Sequence, residues 1–276
     1  MIPMTNFKSF LGLNWNPFLS EKPVDSFYEE ENLSQFCWNV EQIICDGGFA
    51  FLSGDPGAGK STAMRILQHR LNKVPELCVR IIDRPQSSMR DFYRELAMVF
   101  GVEIRVSNKY NSFQKLREQW LHIIHTQLFR PVLIIDEAQY LPDEVLEEVR
   151  FLGSADLDSR CILAVVFAGD SRLLQKFKSP EVLPLYSRMR ASLILGNRTP
   201  EEMKKMLVCS LKNAGNPDLI SNGVIKALSE QYLGNPRAMM LAANQLLMLA
   251  LQKEVRHIDE NLYFEATHSH ITKKRQ

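Results

Sequence analysis

Between an apolar segment and a helical pattern, this chain reads Gly54-Asp55-Pro56-Gly57-Ala58-Gly59-Lys60-Ser61. The apolar segment is Phe49-Ala50-Phe51-Leu52-Ser53, and the helical pattern begins at Thr62. A glycine-rich loop between a strand and a helix aims its backbone N–H groups and the helix dipole at a phosphate. Lys60 would add charge at the β- and γ-phosphates, and the Ser61 hydroxyl would bind Mg²⁺. A chance glycine-rich turn is the alternative, at roughly one occurrence in a hundred chains of this length. We therefore expect the chain to bind a nucleoside triphosphate with Mg²⁺, with nucleotide contacts from Gly54 to Thr62.

The bulk composition is that of an ordinary globular protein. Its 276 residues, 45% hydrophobic and 24% charged, are enough to bury a core in one large or two modest domains. The 33 basic and 32 acidic residues leave a net charge of +1, so a polyanionic partner would need a local patch. Five cysteines without a C-x-x-C pair favour reduced thiols. Neither a signal peptide nor a run of about 18 apolar residues is evident, so we expect a cytoplasmic protein with no membrane partner.

Strand-like and helical patterns alternate through most of the chain. After a predicted helix over Glu29–Cys45 and the glycine loop, the predicted strands are Cys78–Asp83, Pro131–Asp136, Cys161–Ala168 and Ser192–Leu195. The predicted helices between them are Ser88–Phe100, Asn111–Leu128 and one that starts near Pro142. Such alternation is typical of a parallel sheet covered by helices.

The pattern changes near residue 198. Thr199-Pro200-Glu201-Glu202 is a capping box with proline at the first helical position. Only helices are predicted after it, over 200–213, 222–233, 236–253 and 259–268. We therefore predict an α/β fold in which a parallel-sheet P-loop domain, 31–198, is succeeded by a small helical lid with a basic tail, 199–276. We predict that residues 1–30 form an N-terminal segment that packs on the P-loop domain.

Acidic residues follow two of the predicted strands. Val132-Leu133-Ile134-Ile135 leads into Asp136 and Glu137. Asp136 would hold Mg²⁺ and Glu137 would orient and polarise the attacking water; a simple helix cap is the alternative. Asp170 ends another apolar strand, where it would lie near the γ-phosphate and the catalytic water, unless Gly169-Asp170 is only a turn.

With the sequence Asp-Glu-Ala-Gln in place after the acidic strand, the chain resembles the AAA+ ATPases. Two further segments carry the resemblance, Leu185-Tyr186-Ser187-Arg188-Met189-Arg190 and Gly234-Asn235-Pro236-Arg237. The resemblance implies that Pro236 and Arg237 contact nucleotide, with Arg237 acting on the γ-phosphate within its own subunit. It also implies that Arg188, with Arg190 as runner-up, reaches the nucleotide of a neighbouring subunit; a surface salt bridge is the alternative for Arg188.

More narrowly, the chain resembles the branch that contains the ExeA/GspA secretion ATPases and the transposition ATPases of the TnsC, TniB and MuB kind. The early segment Gly12-Leu13-Asn14-Trp15-Asn16-Pro17-Phe18 carries this resemblance, together with the Asp-Glu-Ala-Gln, Ala168-Gly169-Asp170 and Gly234–Arg237 segments. It implies that Asn16, Pro17 and Phe18 lie against the adenine, although Phe18 is equally plausible as a core residue.

The branch leaves three functions open. The layout, which ends at Gln276 with the basic residues Lys273-Lys274-Arg275, is similar to the transposition members. These imply an ATPase that forms rings or filaments on double-stranded DNA, marks a target with the help of a target-recognition protein and recruits a DDE transposase. The alternatives are a secretion-machinery ATPase and an ATP-gated adaptor with incidental hydrolysis.

The same resemblance points to a DNA-binding surface at one helix start and the loop after that helix. The basic and polar residues of these two places are Arg84, Arg90, Arg94, Arg105, Asn108, Lys109, Tyr110, Lys115 and Arg117. Of these we expect Arg90, Lys109 and Tyr110 to contact the DNA backbone, without sequence preference. Acidic residues are interleaved with them, so an ordinary solvated helix face is the alternative.

Overall fold

The computed structural model of this chain describes residues 7–85, 88–105, 108–155 and 160–273. In chain order, its helices are α1 Phe7–Leu11, α2 Glu31–Asp46, α3 Lys60–Asn72, α4 Met89–Phe100, α5 Lys109–His125, α6 Asp143–Gly153, α7 Ser171–Phe177, α8 Leu183–Tyr186, α9 Pro200–Ala214, α10 Asn222–Gln231, α11 Pro236–Gln252 and α12 Glu260–Lys273. The strands are β1 Gly48–Gly54, β2 Leu77–Ile82, β3 Arg130–Ile135, β4 Ser154–Ala155, β5 Arg160–Cys161, β6 Ala164–Gly169 and β7 Met189–Leu195. Short 3₁₀ turns lie at Val24–Ser26 and Ala138–Tyr140.

Over these residues, five strands form a parallel sheet in the order β2–β3–β6–β1–β7. Every residue of β1 and β6 is buried, as expected for inner strands covered on both faces. Strand β7 lies at an edge and alternates between buried and exposed residues instead. Because all five strands run the same way, the ends of β1, β3 and β6 meet at one edge of the sheet. The predicted α/β fold with a parallel sheet is confirmed.

The described residues fall into two compact units. One unit comprises 30–56 and 63–195, and its core contains the inner strands and the helices packed on them. Aromatic side chains fill much of that core: the Phe177 ring lies 5.5 Å from Phe51 and 5.7 Å from Phe167 between centroids. Edge-to-face pairs of this kind add to the stability from burial alone.

The other unit comprises the described parts of 1–29, 57–62 and 196–276. Its core joins apolar residues of α9, α10 and α11 to the early residues Leu11, Leu13 and Phe18. Thr199 and Glu202 form the predicted capping box at the start of α9: the Thr199 hydroxyl accepts from the Glu202 N–H, and the Glu202 carboxylate accepts from the Thr199 N–H at 2.7 Å. The part of the basic tail beyond Lys273 lies outside the described residues.

Two predicted strands differ from the observed ones. The expected strand Cys161–Ala168 is interrupted, because Cys161 pairs with Ser154 in a separate antiparallel ribbon and the parallel strand starts only at Ala164. The expected strand Ser192–Leu195 begins earlier, at Met189. Its register with β1 shifts between Phe49 and Ala50, which leaves Arg190 without a partner in the ladder.

The helix predicted over Asn111–Leu128 ends earlier than expected. Helix α5 ends at His125, and the chain then turns through Leu128, which has a φ of +59°. The predicted end of this helix at Leu128 was therefore wrong. The left-handed turn before β3 carries the Leu128 side chain away from the core, and it is 76% exposed.

Candidate nucleotide site

The glycine loop follows β1 and leads directly into α3, which begins at Lys60. Gly57 has a φ of +90° and Gly59 a φ of +101°, in the region that favours glycine. A Cβ atom on Gly57 would also lie 2.6 Å from the side-chain oxygen of Asn235. Two independent constraints, backbone conformation and close approach, therefore require glycine at position 57.

Arg198 lies against the same loop and was not predicted from the sequence. Its guanidinium donates to the carbonyl oxygen of Ala58 at 2.5 Å, and a Cβ atom on Gly59 would lie 3.4 Å from it. Lys60 is half-buried and Ser61 exposed. No sequence motif marks Arg198, since it stands in the connection before α9 and only the folded chain brings it to the loop.

The two predicted carboxylates stand where β3 ends. Asp136 continues the strand, with its N–H bonded to the carbonyl of Ile82 at 2.9 Å, and its Oδ1 accepts from the N–H of Glu137 at 2.8 Å. Glu137 adopts left-handed backbone angles, φ +52° and ψ +34°. Both side chains are half-buried. This sharp turn presents both carboxylates at the carboxyl end of an inner strand, as an acidic site for metal and water requires.

Gln139 stands within the predicted Asp-Glu-Ala-Gln motif, but no role was expected for it. Its side chain is 7% exposed. Its amide nitrogen donates to Glu137 Oε2 at 2.5 Å, and its amide oxygen accepts from the N–H of Asp170 at 3.2 Å. The residue thus connects the end of β3 to the end of β6.

The side chain of Asp170, predicted to lie near the γ-phosphate, has close partners within its own helix. It caps α7 by accepting from the Arg172 N–H at 2.9 Å, and it forms an ion pair with the Arg172 guanidinium at 2.6 Å. The hydrogen bonds that Arg172 donates to Asp170 and Tyr140 raise the pKa of Arg172 above its ordinary value. Arg172 was not predicted from the sequence. An arginine two residues after an aspartate is a common pattern, and it indicates an ion pair only when the aspartate is known to cap a helix. The γ-phosphate role of Asp170 stays a prediction.

The two arginines proposed to reach a neighbouring subunit differ in their surroundings. Arg188 is half-buried between α8 and β7, and its Nη1 donates to Ser154 Oγ at 3.2 Å. Arg190 is 54% exposed and lies 3.9 Å from the carboxylate of Asp46.

Arg237 is exposed at the second position of α11, after the buried Pro236. The Asn235 side chain caps this helix by accepting from the Ala238 N–H at 3.0 Å. Because the cap fixes the first turn, the segment Asn235–Arg237 has a defined conformation. The proposed contact of Arg237 with nucleotide stays a prediction.

The early segment proposed to contact adenine is packed into the helical unit. Phe18 is 6% exposed and belongs to that core, in agreement with the alternative interpretation of this residue as a core side chain. Asn16 donates to the Asn244 side chain at 2.8 Å and accepts from the Phe18 N–H. The carbonyl of Pro17 accepts from the buried Lys22 ammonium at 3.0 Å. Lys22 was not singled out from the sequence.

The three predicted DNA contacts also differ. Arg90 is exposed on α4, and Tyr110 is 73% exposed on α5. Lys109 forms an ion pair with Glu148 at 2.8 Å. Other basic residues of this surface bond within the chain: Arg94 with Asp91 at 2.7 Å, Lys115 with the Glu103 carbonyl at 2.8 Å, and Arg117 with the Leu152 carbonyl at 3.0 Å. Of the three predicted contacts, Arg90 and Tyr110 are therefore the better placed to meet a partner.

Residues 45–177 match the protein family described as AAA domain. The fold is that of AAA+ proteins. The structure of the ORC2 protein of Aeropyrum pernix in ADPNP–ADP complexes has a TM-score of 0.70 and 12% identity, covering 92% of this chain and 71% of that chain. The ORC1 protein of Aeropyrum pernix in complex with DNA has a TM-score of 0.66 and 16% identity, covering 92% of this chain and 68% of that one. At these identities the likeness concerns the fold alone.

One curated relative is similar in sequence over most of the chain. General secretion pathway protein A of Aeromonas hydrophila is 25% identical over 250 residues, which are 90% of this chain and 45% of the relative. The chain thus spans less than half the length of that protein. Within the described residues, we find no helix that combines the length and the apolarity needed to cross a membrane.

Proposed function

We propose that this chain is a Mg²⁺-dependent ATPase. The observation that carries the proposal is the strand–loop–helix unit in which two loop glycines have positive φ and the helix begins at Lys60. Ser61 and Asp136 would hold Mg²⁺ together with the phosphates, since both offer the hard oxygen ligands that this ion prefers. Glu137 would accept a proton from the attacking water, while Lys60 and Arg237 would stabilise charge on the transferred phosphoryl group.

The test is ATP hydrolysis by the purified chain and two variants. Lys60→Ala should lose ATP binding, measured with a fluorescent ATP analogue, because the phosphates lose their cation. Glu137→Gln should keep ATP binding and lose roughly 100-fold or more in kcat, the usual contribution of a positioned base. Equal kcat values for Glu137→Gln and the unchanged chain would contradict the assignment of the base, and an unchanged chain without turnover would contradict the ATPase itself.

We further propose that the working form is an oligomer of this chain on double-stranded DNA, where it regulates transposition in the cytoplasm. In this proposal Arg188 acts on the nucleotide of a neighbouring copy, and a DDE transposase and a target-recognition protein are its other partners. Exposed Arg90 and Tyr110 support a backbone contact, and a protein of similar fold has been solved in complex with DNA. Phosphate contacts of this kind weaken as the salt concentration rises.

Gel shifts on random-sequence duplex, with and without ATP and at two salt concentrations, test this proposal. We expect ATP-dependent binding that Arg90→Ala weakens at every sequence. Lys226→Ala is a matched control, because Lys226 is an exposed cation of the helical unit, at 73%. Equal effects of the two variants would show that Arg90 has no special role, and absence of binding at low salt would overturn the DNA proposal.

A secretion-machinery ATPase is the second candidate, favoured by the 25% identity with General secretion pathway protein A over 250 residues. This function predicts ATPase activity that does not respond to duplex DNA. An adaptor with incidental hydrolysis is distinguished by Glu137→Gln: a hydrolysis-driven cycle predicts that this variant traps ATP and accumulates DNA-bound oligomers. Disassembly at the unchanged rate would favour the adaptor.

A further inference from the structure

We propose that Gln139 is a positioning residue that fixes the catalytic carboxylate of Glu137 and ties it to the strand that carries the glycine loop. The inference rests on the ATPase function proposed above, and it deepens that function by assigning a residue that acts through another. Gln139 is buried, and both ends of its side-chain amide form hydrogen bonds, the nitrogen with Glu137 and the oxygen with Asp170.

The nitrogen end of the amide controls the orientation of the base. Gln139 Nε2 donates to Glu137 Oε2 at 2.5 Å. A half-buried carboxylate without a fixed partner samples several rotamers, whereas a short bond from a buried donor selects one of them. Only one carboxylate oxygen is engaged by this amide, so the group can still accept a proton from water. The water oxygen then bonds to the γ-phosphorus as the bond to the bridging oxygen breaks.

The oxygen end of the amide fixes Gln139 to the next strand. Gln139 Oε1 accepts from the N–H of Asp170, and the carbonyl of Asp170 accepts from the hydroxyl of Ser53 at 3.0 Å. Ser53 is 1% exposed and is followed directly by Gly54, the first residue of the loop. A continuous set of hydrogen bonds thus runs from the end of β1, across the end of β6, to Glu137 at the end of β3.

The surroundings of Gln139 leave its side chain little freedom. A Cβ atom on Gly169 would lie 2.5 Å from Gln139 Oε1, so the amide occupies space that only glycine leaves open there. Lys176 of α7 donates to the backbone carbonyl of Gln139 at 3.1 Å. The amide is therefore held from β6 and its backbone from α7, which is what a positioning role needs.

Two substitutions distinguish the contributions of the two hydrogen bonds that the Gln139 amide forms. Gln139→Glu keeps an oxygen that can accept from Asp170 N–H but replaces the donor to Glu137 with a second carboxylate. Gln139→Leu removes both bonds at similar volume. If Gln139 positions the base, both variants should lose about 10-fold or more in kcat while KM for ATP stays within about twofold. Gln175→Glu is the matched control, because Gln175 is exposed on α7, and it should behave like the unchanged chain.

A purely structural link between β3 and β6 predicts a different result. Gln139→Glu would then retain kcat, since it retains the acceptor, and only Gln139→Leu would be impaired. That result would overturn the inference while leaving the ATPase intact. An unchanged chain without turnover would instead remove the proposed function, and the inference with it.

Gly169→Ala provides a second route if Gln139→Glu fails to fold, as judged by thermal melting and ATP binding. Its methyl group would meet Gln139 Oε1 first and Leu173 Cδ2 second, at 2.5 and 2.9 Å, so it would displace the amide without changing any polar group. We expect a loss of about threefold to tenfold in kcat at constant KM. A folded Gly169→Ala variant with full kcat would overturn the inference in that case.

Discussion

Tyr93 donates its hydroxyl to the carboxylate of Glu148, and the two side chains are 2% and 8% exposed. Lys109 completes the group with its ion pair to the same carboxylate. Burial, followed by the hydrogen bond and charge of Glu148, raises the pKa of Tyr93 above its ordinary value. The folded chain therefore keeps the Tyr93 proton at alkaline pH values where the unfolded chain has lost it.

For Tyr93→Phe we expect a loss of about 1–2 kcal/mol in the free energy of unfolding near pH 7.5, because Glu148 loses a buried donor. The raised pKa adds a pH dependence of defined sign. Its stabilising contribution is complete below the ordinary tyrosine pKa, near 10, and decreases as the pH rises from there toward the folded-state value. Urea unfolding should show that the unchanged chain and Tyr93→Phe differ less in their free energy of unfolding at pH 10.5 than at pH 7.5. The exposed Tyr110→Phe is the control, and a gap that widens with pH would contradict the assignment.

Helix α9 begins with a capping box. Both reciprocal bonds of the box are present between Thr199 and Glu202, and they satisfy backbone groups at the first turn that otherwise lack partners. The bonds from Thr199 lower the pKa of Glu202. Their stabilising effect is present above the ordinary glutamate pKa and is lost as the pH falls through the lower folded-state value.

Thr199→Ala should therefore cost about 1 kcal/mol of stability at neutral pH, since the cap oxygen is lost. The measurement is urea unfolding, with Lys205→Ala on the exposed side of the same helix as the control. Lys205→Ala should change the free energy of unfolding by less than about 0.5 kcal/mol. Equal losses in both variants would show that general helix propensity, and not the cap, is responsible.

The inner strands of the sheet could be predicted from the sequence because burial on both faces leaves continuous apolar runs. Lys60, Asp136 and Glu137 could be proposed as site residues, since each belongs to a local motif with a fixed relation to its strand. The order of the strands could not be read in this way. That order places β3 beside β6, which is why the Gln139–Asp170 bond was not predicted.

The short helices and strands could not be predicted from the sequence either. The ribbon of β4 and β5 and the short helices α7 and α8 carry too few residues for a period to be read. Arg172 and Arg198 were missed for the related reason that their partners lie at a helix start and at a loop carbonyl. For Arg198 the information resides in a tertiary contact, whereas Arg172 meets Asp170 through the local turn that starts α7.

Turnover by a lone copy and turnover by an assembly should differ if Arg188 completes a neighbouring site. We expect the specific ATPase activity to rise with protein concentration, because the guanidinium is supplied by a second copy. Arg188→Ala should keep ATP binding and lose roughly 1,000-fold in kcat, the low end of the contribution of such an arginine.

Arg190→Ala is the matched control for this experiment, as the runner-up two residues away. We expect it to retain most of its activity. The measurements are steady-state ATPase rates across a concentration series, with the mass of the assembly monitored by light scattering. Normal turnover by Arg188→Ala would place the trans arginine elsewhere, and activity independent of concentration would remove the need for one.

The bond between Arg188 and Ser154 has a consequence for how copies meet. Ser154 Oγ donates to the Arg150 carbonyl at 2.8 Å and accepts from Arg188 Nη1 at 3.2 Å. If Arg188 serves a neighbouring copy, as proposed, its guanidinium must exchange this neutral hydroxyl for a phosphate, and a charged phosphate is the stronger hydrogen-bond acceptor. Copies without nucleotide would then keep the Arg188–Ser154 bond, and only copies with a bound triphosphate would gain by assembling.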